Sequence, residues 1–206
     1  MSYTVHPCRG KYIALEGPDR AGKTTQAQML ISHLQARGVE ATQVSEPGTT
    51  KTGRRIRKLL MESPGLSEST QFGLFTAARC DIAQEVVVPS LRENFCVVSD
   101  RTWLSSLVYQ NSRADSDTYD AMASITTRLL PKQPDLTIIL LPDCAADLDE
   151  RRPPDSDPFE TKMRDLNPVA LYKTALRFYR QPLAIISAMD TPDRVHEQIV
   201  EVVNRI

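Results

Sequence analysis

The sequence predicts an α/β fold, a parallel sheet of five strands with helices on both faces. Two observations lead there. Short apolar runs alternate with longer amphipathic stretches along the whole chain, which is the pattern of strands joined by crossover helices. A glycine-rich turn, Gly17–Thr24, follows the first apolar run and opens the first amphipathic stretch.

Taken in order, the strand candidates are the apolar runs Tyr12–Leu15, Ala41–Val44, Phe95–Ser99, Leu136–Leu141 and Leu183–Ser187. The helical candidates lie between and after them: Lys23–Ala36, Thr50–Met61, Glu68–Arg92, Thr102–Gln110, Thr118–Leu130, Pro158–Arg180 and Pro192–Arg205. In sheets of this kind ligands bind at the carboxyl ends of the strands, and polar or charged residues follow several of the runs directly. No repeat or low-complexity linker divides the chain, so residues 1–206 are expected to form one domain. The compositional shift is "DERRPPDSDPFETKMRD", Asp149–Asp165, charged and rich in proline. A loop of this length beside a site reads as a mobile lid.

With 206 residues, 41% of them hydrophobic, the chain is long enough to bury a core without disulfides or metals. A formal net charge of −1 argues against a broad basic surface, so no nucleic-acid partner is expected. The four cysteines and three histidines are scattered, without metal-ligand or disulfide spacing. No apolar run approaches the roughly 20 residues that span a bilayer, and residues 1–10 lack the apolar segment of a signal peptide. The expectation is a cytoplasmic chain with reduced thiols and no membrane partner.

The turn reads Gly17-Pro-Asp-Arg-Ala-Gly22-Lys23-Thr24, the P-loop pattern in its required place between a strand and a helix. Backbone N–H groups there cradle nucleotide phosphates. Lys23 would reach the terminal phosphates and the Thr24 hydroxyl would bind Mg²⁺. Asp100 closes the apolar run "FCVVSD", where P-loop proteins place a carboxylate serving the Mg²⁺ shell. The architecture is therefore a three-layer P-loop NTPase fold with a lid. The guanine-reading N-K-x-D motif of GTPases is missing, and the chain is short for a motor.

Three further segments supply an acceptor side: "SEPGTTKTGRRIRKLL" (Ser45–Leu60), "LFTAAR" (Leu74–Arg79) and "DRTWLSSLVYQ" (Asp100–Gln110). Together with the P-loop and Pro134-Asp-Leu-Thr137, they make the chain resemble thymidylate kinases, P-loop enzymes that phosphorylate dTMP with ATP. The resemblance runs over nearly the whole chain. It departs from the family pattern at Ser45, Thr49, Thr102, Val108 and Leu141, and in a shorter, proline-rich lid.

The resemblance implies roles residue by residue. ATP would lie against Gly17, Asp19, Arg20, Ala21, Gly22, Lys23, Thr24 and Thr25, with Mg²⁺ served by Thr24 and Asp100. Phe75 would stack on the pyrimidine and Arg79 would donate to its 4-carbonyl. Arg57 and Arg101 would hold the acceptor phosphate, with planar forks suited to its oxygens. Ser105, Ser106 and Gln110 would surround base and ribose, Tyr109 would exclude a 2′-hydroxyl, and Asp19 and Glu46 would lie near the sugar and the metal. Arg20 is expected to be the main transition-state cation, with Lys23, Asp100 and Arg101 beside it and Arg151 and Arg152 of the lid secondary. A homodimer is also implied.

The chemistry requires no nucleophile triad. An acceptor phosphate has its second pKa near about 6, so it is mostly dianionic at neutral pH, and catalysis consists of alignment and charge neutralisation. Three other readings stay open at this level: a kinase for a 5-modified deoxyuridylate, a deoxynucleoside kinase using Glu46 as base, and an ATP-binding regulatory protein.

Overall fold

A computed structural model describes residues 8–110, 115–143 and 167–206. Its centre is a five-stranded parallel sheet in the order β2-β3-β1-β4-β5. The strands are β1 (Tyr12–Glu16), β2 (Ala41–Ser45), β3 (Cys96–Asp100), β4 (Leu136–Leu141) and β5 (Leu183–Ser187). The central strands β1, β3 and β4 are buried along their whole length, as expected when helices cover both faces. Edge strand β5 is half-exposed, with Leu183 and Ile185 open on its surface.

The helices are α1 (Lys23–Ala36), α2 (Lys51–Glu62), α3 (Glu68–Ile82), α4 (Val88–Arg92), α5 (Trp103–Tyr109), α6 (Ser116–Leu129), α7 (Pro168–Ala175) and α8 (Pro192–Val203). Most begin at a side-chain cap: Thr50, Ser67, Thr102, Asp115, Asn167 and Thr191 each accept a hydrogen bond from a first-turn backbone N–H. Helix α1 instead starts at Gly22, whose φ of 88° places it in the left-handed region and leaves the first N–H groups free of a side-chain acceptor.

Two readings of the sequence need correction. Glu68–Arg92 is not one regular helix, because Ala83–Val87 forms a π-helical turn in which the Val88 N–H reaches back five residues to the Ala83 carbonyl. Pro89 explains it: it has no N–H to bond the Glu85 carbonyl, and its ring would collide with that oxygen in regular α geometry. At the other correction, the helix expected over Pro158–Arg180 ends at Ala175. Its expected start lies outside the described residues, as do the lid over 149–165, Arg151 and Arg152.

Leu30 and Leu34 of α1 and Val195 and Ile199 of α8 pack on one face of the sheet against Ile13, Val98 and Ile138. On the other face Trp103, Leu104 and Leu107 of α5 pack with Tyr172 of α7, Tyr179 and Ile139. The Pro134–Thr137 motif serves the sheet itself. Asp135 accepts from the Tyr12 N–H at 2.8 Å and returns its own N–H to the Tyr12 carbonyl at 2.7 Å. Thr137 hydrogen-bonds Tyr179 at 2.6 Å. The register of β4 on β1 is thereby pinned at the end away from the P-loop.

Candidate active site

The carboxyl ends of β1, β2 and β3 meet at one cleft. β1 ends in the buried Glu16 and passes into Gly17, whose φ is 142°. A Cβ at Gly17 would stand 2.3 Å from the Leu140 carbonyl oxygen, so no other residue can follow β1 this closely past β4. Arg20 also takes a left-handed φ of 69°. The loop closes with the Ala21 N–H donating to Pro18 O at 3.3 Å and the Lys23 ammonium donating to the same oxygen at 2.6 Å.

A cavity of about 630 Å³ opens here. Asp19, Arg20, Gly22, Lys23, Thr24 and Thr25 line it from the loop and the start of α1. Ser45 and Glu46 line it from the end of β2, Arg57 from α2, and Asp100 and Arg101 from the end of β3. Ser45 and Asp100 are register partners on neighbouring strands. The Thr24 hydroxyl donates to Asp100 Oδ2 at 2.5 Å. Among the described residues no group of three His, Cys, Asp or Glu side chains is arranged to hold a metal. One hydroxyl and one carboxylate are hard oxygen donors that fit Mg²⁺, which keeps most of its shell for water and phosphate oxygens.

The charged groups perturb each other strongly. Burial pulls the Lys23 ammonium down to about 8, with Arg101 acting in the same direction. Burial works to raise the Asp19 carboxyl, but Arg101, Lys23 and Arg20 outweigh it and hold Asp19 below its ordinary value. Arg101 pairs with that carboxylate through Nη2. Burial opposes its charge too, yet Asp19 keeps the guanidinium pKa well above its usual range. Arg101 has a φ of 79°, is held by its N–H to Leu15 O at 2.9 Å, and lies 5.2 Å from the Tyr109 ring centre.

Beside the cavity, Arg79 Nε donates to both Glu46 oxygens at 2.9 and 2.8 Å, and Nη2 stands 2.7 Å from Oε2. Both side chains are buried, at 4% and 5% exposure. Arg79 Nη2 also donates to Thr102 O and Ser106 Oγ, at 3.3 and 3.2 Å. Its Nη1 and the Tyr109 hydroxyl are buried without a hydrogen-bond partner among the described residues. Burial raises the Glu46 carboxyl, and the facing Arg79 only partly offsets this.

Phe75 lies on α3 one turn before Arg79, half-buried; Ser105, Ser106 and Gln110 are buried on or at the end of α5. Arg57 is exposed at the cavity rim, its Cδ 4.0 Å from where a Cβ on Gly48 would be. The described residues singled out from sequence thus gather on one cleft and the α3–α5 wall beside it. Glu16 and Tyr172 escaped sequence reasoning. Glu16 accepts hydrogen bonds from the Thr102 N–H and hydroxyl, the Ser105 N–H and hydroxyl, and Tyr172 OH. A signal existed for Glu16, a carboxylate ending an otherwise apolar strand. For Tyr172, 155 residues from the glycine it touches, there was none.

Comparison with known proteins follows the same residues. The family model described as thymidylate kinase matches residues 15–199. A thymidylate kinase of Jannaschia sp. is 33% identical over 94% of this chain and 96% of its own length. One of Chlorobium phaeobacteroides is 28% identical, covering 94% of both chains. The crystal structure of thymidylate kinase from Ehrlichia chaffeensis superposes with a TM-score of 0.72 at 23% identity, over 95% of this chain and 98% of that one, and so shares the fold. Every residue that lines the cavity falls within the matched span, and the chain belongs to the thymidylate kinase family of phosphotransferases.

Proposed function

We propose that the protein transfers the γ-phosphoryl group of ATP to dTMP, giving ADP and dTDP. One observation carries this reading beyond family membership. A single cavity is lined both by the P-loop cations Arg20 and Lys23 and by Arg57 from α2 and Arg101 from the end of β3. Two anionic nucleotides therefore meet between cations drawn from different elements. An oxygen of the dTMP phosphate attacks the γ-phosphorus, the bond to the β,γ-bridging oxygen breaks, and ADP departs with the electron pair. Thr24 and Asp100 would hold the Mg²⁺ that accompanies ATP, which neutralises charge on the β- and γ-phosphates.

Arg57 and Arg101 align the acceptor phosphate, and Arg20 neutralises charge on the phosphoryl in transit, with Arg151 and Arg152 secondary. Phe75 and the unfilled Arg79 Nη1 face the pyrimidine, Ser105, Ser106 and Gln110 border base and sugar, and Tyr109 crowds the ribose 2′ carbon. The deoxynucleoside-kinase alternative needs Glu46 as a base. Both of its oxygens are engaged by Arg79, which argues against it. A single domain, a homodimer and a cytoplasmic location belong to the same reading; among the described residues no helix is long and apolar enough to cross a membrane.

The test is a panel of nucleosides and (deoxy)nucleoside monophosphates, 5-substituted deoxyuridylates included, with ATP and Mg²⁺ and product nucleotide as readout. dTMP is expected to be the best acceptor. Turnover of thymidine but not dTMP, or of no pyrimidine monophosphate at all, overturns the proposal; a 5-substituted deoxyuridylate used better than dTMP redirects it.

A further inference from the structure

We propose that Tyr172 and Glu16 form a positioning pair that fixes the first P-loop peptide and the Arg101 guanidinium relative to each other, so that donor and acceptor sides of the site keep one geometry. This rests on the phosphotransferase reading above and concerns residues that touch neither nucleotide.

The observation is a buried hydrogen-bond cage. Glu16 and Tyr172 are both 0% exposed. Tyr172 OH lies 2.8 Å from Glu16 Oε2 and 2.9 Å from the Gly17 carbonyl, and accepts from the Gly17 N–H at 3.2 Å. One phenol thus touches both polar groups of the glycine that opens the P-loop. Arg101 reaches the same carbonyl, its Nη1 donating to Gly17 O at 3.3 Å and to Ser105 Oγ at 3.0 Å. The Ser105 hydroxyl gives its own proton to Glu16 Oε2 at 2.8 Å.

Glu16 therefore sits behind both sides. Through Oε1 it anchors the start of α5, taking the Thr102 N–H at 2.6 Å and the Ser105 N–H at 3.1 Å. Through Oε2 it orients Ser105 and Tyr172, which orient Arg101 and Gly17 in turn. Packing alone does not demand this hydroxyl. The Tyr172 ring meets Tyr109 edge-to-face with centroids 6.3 Å apart, a contact phenylalanine would keep. Burial and the Glu16 charge hold the phenol pKa well above its ordinary value, so it serves as a neutral donor and acceptor across the working pH range. Arg101 needs such support, because its left-handed φ of 79° persists only where its surroundings over-determine it.

The experiment compares wild type, Tyr172→Phe, Glu16→Gln and the double variant in the full chain. It measures kcat, KM for the monophosphate acceptor, equilibrium affinity for ATP and thermal midpoint. Tyr172→Phe is expected to lower kcat by about 10-fold or more while ATP affinity stays within about 2-fold of wild type. The double variant is expected to lose little beyond Glu16→Gln, since without the carboxylate the phenol is no longer held against Gly17. Normal kcat in Tyr172→Phe, or losses that multiply in the double variant, overturns the pair. So does a Tyr172→Phe chain that no longer folds, because the hydroxyl would then hold the fold rather than the reaction geometry. If Glu16→Gln does not fold, Tyr172→Phe alone decides. A wild type inactive on dTMP sinks the substrate assignment instead; the ratio of variant to wild type on whichever monophosphate is turned over still tests the pair.

Discussion

The two ends of the cavity are built from different materials. At the P-loop end the geometry is set by backbone: Gly17 and Gly22 at positive φ, and the start of α1 without a side-chain cap. At the other end it is set by charged side chains in pairs, the buried Glu46 with Arg79 and the partly exposed Asp19 with Arg101. Backbone sites tolerate no added atom where the chain passes closest, whereas charge pairs tolerate shape change but not the loss of one partner.

The largest effect is expected where the two ends meet in the transition state. Arg20→Ala removes the loop's own guanidinium from the cavity, and a kcat loss of about 10³-fold or more is expected with ATP still bound. Single-turnover kinetics check it. A near-normal rate would move the catalytic load to Arg151 and Arg152 and make the donor side a purely backbone device.

On the acceptor side, Glu46→Gln should leave the Arg79 charge uncompensated at 4% exposure. Breaking a buried pair this way costs about 3–5 kcal/mol, read in denaturant unfolding. Replacing both partners by apolar residues, as in Glu46→Leu with Arg79→Met, should restore most of that stability while acceptor binding stays lost. Recovery of acceptor binding in the double variant would mean that the pair serves folding rather than the pyrimidine.

The backbone side has its own breaking point. Gly17→Ala adds one methyl, but places it 2.3 Å from the Leu140 carbonyl at a φ of 142°. A loss of more than about 1 kcal/mol of stability is expected, together with weakened ATP binding, because the loop must move away from β4. Unfolding and ATP titration measured on the same preparation separate the two losses. An unchanged ATP affinity would show that the loop's phosphate cradle does not depend on its entry angle.

The same contrast explains what was legible in the sequence. The P-loop is local: glycines, lysine and threonine within eight residues, after a strand and before a helix, so pattern alone located the turn. The central strands β1, β3 and β4 were legible because apolar runs buried on both faces leave no alternation to misread. The Glu46–Arg79 and Asp19–Arg101 residues were visible only as members of motifs, since each finds its partner far along the chain: Arg79 is 33 residues from Glu46, and Arg101 is 82 from Asp19. Tyr172 was missed for that reason, 155 residues from the glycine it touches, whereas Glu16 carried a local signal, a carboxylate ending an apolar strand, that went unread. The π-helical turn was missed for another: periodicity reports a helix, and Pro89 announces an irregularity without saying how the chain absorbs it.

The smallest effect, and the one that connects the two ends, is titration of Lys23. Burial and the nearby Arg101 lower its ammonium to about 8, against about 10.4 in an unfolded chain. Between those values the unfolded chain binds more protons, so this group makes the ligand-free protein more stable as pH rises through that window. Below about 8 the full cost of a buried ammonium beside Arg101 is present. Polyphosphate reverses the balance, because the anion favours the charged form. Binding ATP at pH 8 is therefore expected to take up about half a proton, and ATP affinity should decline as pH rises above that value. Calorimetry in two buffers of different ionisation enthalpy checks the uptake, with Lys23→Met as the reference that should abolish it. Unchanged uptake in that variant would assign the proton to another group. An acceptor-side variant such as Arg101→Gln should enlarge the remaining Lys23 charge before ATP arrives and so shrink the uptake, which makes a proton count on the donor side a reading of the charge on the acceptor side.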